Sequence, residues 1–268
     1  MSDIPPSLTA PVADLMKSVA DRVILPRYRN LSSDEVEEKA KDDLVTIADK
    51  ESELALAEGL AAILPEARIV GEEACAATPA LLETVGTGLC WIIDPIDGTG
   101  NFAAGQPPFG VMIALADGGD ILSGWIYDPL TGRLCHAARG RGATIDGEPL
   151  HARESGEALP IAGISTLYLP GEERNTLTRR AEGRVRMVDI PRCAAEQYPR
   201  IALGVNDFAL FNRTLPWDHA AGALILNEAG GRVARHDGSP YRVGTAETGM
   251  MAAASPAMWD KAADILFR

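Results

Sequence analysis

The sequence predicts a mixed α+β chain: a helical pair, then a hairpin-linked sheet, then a half in which helix and strand alternate. Three observations carry this. Apolar residues recur at helical spacing near the start, as at Val12, Leu15, Met16, Val19 and Val23. Short apolar runs separated by turn residues follow, with 89–93, 109–116 and 121–127 the clearest. Near residue 150 the pattern changes and the two kinds of run take turns, as in an α/β layer. We therefore divide the chain into an N-terminal α+β domain over 1–150 and a C-terminal α/β domain over 151–268. A length of 268 residues, 46% apolar and 24% charged, suits one large or two fused globular units.

Thr9 is placed to cap the first helix and Pro26 to limit it. From 34 to 58 there are ten acids against three lysines, read mostly as solvated surface. The second helix runs through this stretch with Leu54, Ala57, Leu60, Ala61 and Leu64 inward. Residues 67–70 form a short strand, and 89–93 a stronger one ended by Asp94-Pro95. The segments 109–116 and 121–127 flank Asp117-Gly118-Gly119-Asp120 as a hairpin, and 134–138 adds a strand. Beyond it, 161–165 is a strand, 172–181 a helix and 185–188 a strand. Residues 195–203 are ambiguous because Pro199 interrupts them. A helix over 218–228 ends at Gly230-Gly231, a strand covers 250–254, and a helical tail covers 256–267.

Charge and cysteine usage exclude several functions. Net charge is −13, so a nonspecific nucleic-acid binder is not expected. No apolar stretch is long enough to span a bilayer, and the first residues, Met1-Ser2-Asp3-Ile4-Pro5-Pro6, carry no secretory signal. The expected setting is cytoplasmic, with no membrane partner. Cys75, Cys90, Cys135 and Cys193 form no CxxC pair and are expected reduced and buried. The four histidines lack zinc spacing.

Three carboxylate clusters remain: Gly71-Glu72-Glu73, the run from Asp94-Pro95-Ile96-Asp97 to Gly98-Thr99-Gly100-Asn101, and Trp217-Asp218-His219. Asp94 ends an apolar strand, where an unpaired carboxylate is costly, and a Pro turn can aim two acids at one place. A hard dication would neutralise them, and carboxylate, carbonyl and water are the ligands magnesium takes. The glycines can expose consecutive N–H groups to an anion, so a chain of net −13 can still seat a phosphate. Each cluster also has a plainer reading, as turn formers, solvated acids or a helix cap.

These residues resemble the inositol monophosphatase family of magnesium-dependent, lithium-sensitive phosphomonoesterases. The resemblance lies in Trp91-Ile92-Ile93-Asp94-Pro95-Ile96-Asp97-Gly98-Thr99-Gly100-Asn101-Phe102, in Trp217-Asp218-His219-Ala220-Ala221-Gly222 with Glu228-Ala229-Gly230-Gly231, in 43–49, and in Gly71-Glu72-Glu73. It implies a layered α/β/α/β/α sandwich of the sugar phosphatase type, a homodimer, a small phosphorylated substrate and two or three Mg²⁺ ions. It further implies that Glu72, Asp94 and the Ile96 carbonyl bind one ion and Asp94, Asp97 and Asp218 another, a third being recruited through Glu72 and water. Asp49 and Thr99 would position the attacking water, with Glu72 counted among the catalytic groups. The N–H groups of Gly98 and Thr99 would hold phosphate, Glu73 would support its neighbour, and His219 is expected to be a satisfied histidine at the surface or on its helix.

Specificity is where the match thins. Asp218, Ala194, Arg192 and Phe211 fall at the family's substrate-facing positions, but inositol-specific members carry Gly-Ser/Thr-Ala-Ala where this chain has Arg192-Cys193-Ala194-Ala195, and a glutamate where it has Phe211. Phenylalanine accepts no hydrogen bond from a ring hydroxyl. Arg192 is open to two readings, a donor to a second anionic group or a surface salt bridge. It is the last of six arginines between 174 and 192. The expected activity is therefore Mg²⁺-dependent hydrolysis of a small phosphate monoester, inositol-1-monophosphatase-like. Histidinol-phosphate phosphatase and 3′,5′-bisphosphate nucleotidase are the enzymatic alternatives, and a regulatory binding protein of transcription or RNA complexes the non-enzymatic one.

Overall fold

The computed structural model describes residues 8–40, 43–166 and 169–268; the expectation for the first six residues lies outside these. Helix α1 (Thr9–Val19) continues as a π turn over Ala20–Ile24 and stops before Pro26. Strands β1 (Val36–Ala40) and β2 (Asp43–Thr46) pair as an antiparallel ribbon that leads into helix α2 (Ile47–Ile63). Strand β3 (Arg68–Gly71) gives way at once to helix α3 (Glu72–Ala77) and a 3₁₀ turn at Pro79–Thr84. Strand β4 (Leu89–Asp97) runs into the short helix α4 (Thr99–Ala103). A meander follows: β5 (Gly110–Asp117), β6 (Asp120–Tyr127), β7 (Leu134–Ala138), β8 (Ala143–Ile145) and β9 (Glu148–Leu150). Strands β3 to β9 lie side by side in chain order, parallel between β3 and β4 and antiparallel thereafter.

The second half alternates as expected. Strand β10 (Ile161–Ile164), helix α5 (Gly171–Ala181), strand β11 (Arg186–Val188), helix α6 (Ala194–Ala202) and strand β12 (Phe208–Phe211) form a parallel unit. Helix α7 (Pro216–Glu228) precedes β13 (Arg232–Arg235) and β14 (Met250–Ala253), and helix α8 (Pro256–Leu266) closes the chain. The second sheet has the order β11-β10-β12-β14-β13.

The layers follow from where apolar residues sit on each strand. On β4, Cys90 and Ile92 enter one core while Trp91 and Ile93 enter another, so the strand is buried on both faces and reads as a continuous apolar run. The outer face of the first sheet packs on α1 and α2. Its inner face packs on α6 and α7, which the second sheet covers from the other side. A third core lies between the second sheet and α5 with α8. The result is an α/β/α/β/α sandwich. Among the described residues no helix is long and apolar enough to cross a membrane. The four cysteines are free and buried, and burial pushes the Cys75, Cys90 and Cys135 thiols up to about 11, 11 and 12.

Several sequence expectations need correction. Thr9 is not the cap of α1: Leu8 holds that position, and the Thr9 hydroxyl lies 3.4 Å from His136 Nε2. Leu54 faces solvent, as does Ala61, because α2 turns Asp49, Ser52, Glu53, Leu56 and Leu60 inward instead. The reading of the acids there as solvated therefore fails for Asp49 and Glu53. Strand β4 does not stop at Asp94 but runs on to Asp97. The ambiguous segment is helix α6, with Pro199 inside it. Strands β1, β2, β8, β9, β12 and β13 lie outside the runs that the sequence pattern picks out: they are three to five residues long and too short to show a period.

Candidate active site

A regular strand sends residues three apart to opposite faces. Strand β4 breaks this rule between Asp94 and Asp97: Asp94 pairs with Met112 and Asp97 with Gly110, so three steps on β4 match two on β5. The irregularity at Pro95-Ile96 changes the parity and lets both acids serve one site, and Pro95 sits where no ladder donor is needed. Asp218 arrives from the other half of the chain, in the first turn of α7, whose Pro216 begins the helix. Carboxylate oxygens of Asp94, Asp97 and Asp218 all lie within 4.8 Å of one another.

Asp94 is 1% exposed, and its Oδ1 has no hydrogen-bond partner among the described residues. Burial, together with the charges of Glu72, Asp97, Asp218 and Asp49, pushes its pKa well above the usual carboxylate range. Burial likewise lifts Asp97, against the backbone amides that hold it charged; the Ala195 N–H donates to Asp97 Oδ2 at 2.5 Å. An orphaned buried carboxylate oxygen among like charges is costly for the bare protein. The donor set is all oxygen, which fits a hard dication.

Glu72 opens α3, and the buried Glu53 fixes that helix by accepting the N–H groups of Glu73 and Ala74, each at 2.8 Å. A Cβ on Gly71 would lie 2.3 Å from Glu53 Cδ, so glycine is what lets that cap approach. Glu72 lines the same cavity as the three aspartates but is not one of the close trio. Its Oε1 accepts from Lys39 Nζ at 2.9 Å, and so does Glu73 Oε1. Burial raises the Glu72 pKa, with Lys39 opposing and Asp218 adding to the rise.

Behind the cavity, Asp49 is fully buried. Its Oδ2 accepts from Thr46 N and Thr46 Oγ1 at 2.8 and 2.6 Å. Burial raises Asp49 to about 6. Thr99 Oγ1 lies 3.1 Å from Asp49 Oδ1 and 3.0 Å from the Ile96 carbonyl, so its one proton is shared between two acceptors. Gly98 has φ +87, and a Cβ there would meet Pro108 O at 3.0 Å; only glycine can turn β4 into α4 at this point.

The cavity has a volume of about 670 Å³. Its walls bring together Glu72, Asp94, Ile96, Asp97, Gly98, Thr99 and Asp218 with the substrate-facing candidates Arg192, Ala194 and Phe211. Asp49 is not on the wall and reaches it through Thr99. The other five arginines between 174 and 192 do not line it. His219 is buried, with Nε2 donating to Arg213 O at 3.0 Å and Nδ1 accepting from Tyr198 OH at 3.1 Å. It is a satisfied helix histidine, not a surface one, and burial lowers its pKa to about 3.

Sequence reasoning missed Lys39, Gln197 and Arg213, all tied to this site. Gln197 lines the cavity at 3% exposure with both carboxamide atoms unpartnered among the described residues. Its only sequence signal is its position one turn after Ala194. The sequence signal for Arg213 is no more than a cation five residues before Asp218 in an acidic chain.

The family profile described as "Inositol monophosphatase family" matches residues 7–266. The chain belongs to the inositol monophosphatase family. It is 30% identical over 226 residues to a fructose-1,6-bisphosphatase/inositol-1-monophosphatase of Aquifex aeolicus, covering 82% of this chain and 83% of that one. It is 32% identical over 249 residues to a putative Nus factor SuhB of Neisseria meningitidis, covering 88% and 89%. Among solved structures it is similar to the Thermotoga maritima IMPase, with a TM-score of 0.79 at 25% identity over 95% of this chain and 94% of that one. Membership in the inositol monophosphatase family supports phosphatase activity at the level of a phosphoric monoester hydrolase.

Proposed function

We propose that this member of the family hydrolyses a small phosphate monoester with Mg²⁺, in the manner of an inositol-1-monophosphatase. The observation that carries the reading is the meeting of Asp94, Asp97 and Asp218, with Asp94 Oδ1 buried and without a hydrogen-bond partner among the described residues. Glu72, Asp94 and the Ile96 carbonyl would hold one ion, and Asp94, Asp97 and Asp218 a second. Bound there, magnesium supplies Lewis acidity that makes water nucleophilic near neutral pH and offsets charge on the phosphoryl oxygens.

The chain's own groups do the positioning. Thr99 Oγ1 donates to Asp49 Oδ1 and leaves a lone pair to orient the attacking water. With a pKa of about 6, Asp49 is mostly ionised at pH 7 and can still take up a proton through Thr99. The N–H groups of Gly98 and Thr99, at the turn into α4, hold phosphate oxygens as charge builds on them. The pairing of Lys39 with Glu72 and Glu73 gathers the β1–β2 ribbon over the acids. Phe211 in place of a hydroxyl-binding glutamate argues that myo-inositol 1-phosphate is not the preferred substrate, and histidinol phosphate and 3′,5′-bisphosphonucleosides stand beside it as candidates.

The similarity to a putative Nus factor SuhB favours a second reading, a regulatory binder of transcription or RNA complexes. One assay separates the two. The purified chain, supplied with Mg²⁺ and a panel of inositol phosphates, sugar phosphates, histidinol phosphate and adenosine 3′,5′-bisphosphate, is expected to release phosphate from at least one. EDTA should abolish that release and added Mg²⁺ restore it. No release from any ester with Mg²⁺ present would overturn the hydrolase reading.

A further inference from the structure

Resting on the phosphomonoesterase reading, we propose that Arg192 and Arg213 form a subsite for a second anionic group carried by the substrate's leaving portion. Preferred substrates are then phosphate esters that also bear a carboxylate or another phosphate. In a chain of net charge −13, these are the two guanidinium groups on the wall of the cavity that holds the three aspartates, among the described residues. They reach it from different segments, one just before α6 and one between β12 and α7.

Arg192 is held in a conformation that glycine would adopt at lower cost. Its φ is +52, in the left-handed region that side chains with a Cβ avoid. Local contacts do not repay that strain: the side chain is exposed and makes no hydrogen bond or ion pair with any described residue. The backbone before it is fixed, because Asn101 Nδ2 donates to Pro191 O at 3.0 Å and to Pro108 O at 2.8 Å. A strained, tethered arginine facing a cavity is placed for something that enters it.

Arg213 is set in a pinned segment. His219 holds its carbonyl at 3.0 Å, and the preceding Asn212 carbonyl accepts from Gly249 N at 3.1 Å. Its guanidinium lies 3.9 Å from Asp218 Oδ2 and its side chain is 40% exposed, which puts the cation at the rim beside one of the three acids. Two residues earlier, Phe211 stacks on Tyr198 at 5.5 Å and meets His219 edge-on at 4.7 Å. This wall therefore offers two cations and a ring face. Guanidinium forks match carboxylate and phosphate geometry and lose most of their advantage against a neutral hydroxyl.

The test compares esters that differ only in the second charge. Glycerol 2-phosphate and 2-phosphoglycerate differ by a hydroxymethyl group against a carboxylate, and fructose 1-phosphate and fructose 1,6-bisphosphate by the second phosphate. With Mg²⁺ present, the native enzyme is expected to favour the charged member of at least one pair in kcat/KM by about tenfold or more, about 1.4 kcal/mol. The pair showing the preference tells carboxylate from phosphate. Arg192→Gly, which also removes the strained side chain, and Arg213→Gln should each shrink that ratio severalfold through a higher KM for the charged ester. If the arginines only balance the aspartates, each variant will change both members alike, and that result overturns the subsite. Equal turnover of charged and neutral esters by the native enzyme overturns it too, while leaving the hydrolase reading intact. Failure to hydrolyse any ester overturns both.

Discussion

Asp94→Asn will lower turnover at least ~100-fold and leave the fold intact. The substitution keeps the shape of the side chain and removes the one carboxylate expected to serve both ions, so it strikes the stabilisation of charge in the transition state more than ground-state binding. Asp94 has a raised pKa in the folded chain, from burial first and then from four neighbouring acids. At neutral pH its ionisation therefore works against the folded state, and a neutral amide relieves the repulsion. Without added metal, the variant's melting temperature is expected to equal or exceed that of the native protein. Thermal denaturation with and without Mg²⁺, beside a phosphate-release assay, checks both halves. Near-native turnover would count against the metal site, and a large loss of metal-free stability would mean that Asp94 is structural.

Gly222→Ala is expected to destabilise the protein strongly for the addition of a single methyl group. Helix α7 lies between the two sheets and packs on α6. A Cβ on Gly222 would stand 2.0 Å from Tyr198 Cδ2 and 2.4 Å from Cε2 and Cγ. That ring is 1% exposed, stacked on Phe211 and tied through its hydroxyl to His219. It has nowhere to withdraw, so the helices must part. Overpacking of this kind costs ~1–3 kcal/mol or more, against roughly 1 kcal/mol that alanine returns in helix propensity. The melting temperature should fall by several degrees. Because Tyr198 and His219 fix the segment bearing Phe211 and Arg213, KM should rise as well. Pairing the change with Tyr198→Leu should recover part of the loss, and an unchanged melting temperature would show that the two helices are not packed as described.

Much of this site is legible without coordinates, and the exceptions share a cause. Asp94, Asp97 and Asp218 announce themselves because acids sit beside an apolar strand and at a helix start, where a charge needs a reason. The parity change at Pro95-Ile96 is hidden, because a proline after an apolar run also reads as a strand's end. On α2, the apolar pattern picks Leu54 and Ala61, yet the buried face carries Asp49, Ser52 and Glu53. Hydrophobic periodicity cannot register acids that are buried because they cap α3 and accept from Thr99. The β1–β2 ribbon escapes for a related reason: Val36-Glu37-Glu38-Lys39-Ala40 carries three charges in five residues, and its contribution is Lys39 pairing with Glu72 and Glu73. Gln197 and Arg213 are products of tertiary folding, one turn and one strand-end away from residues that could be named in advance.

The claim on which the rest depends is that these acids hold a divalent ion, and manganese binding followed by the electron paramagnetic resonance signal of the free ion tests it directly. The native protein is expected to remove manganese from solution, magnesium to displace it, and Asp94→Asn to lose most of that binding while still folded. If the native protein leaves the manganese signal unchanged, or if Asp94→Asn binds as well as the native chain, the account is wrong.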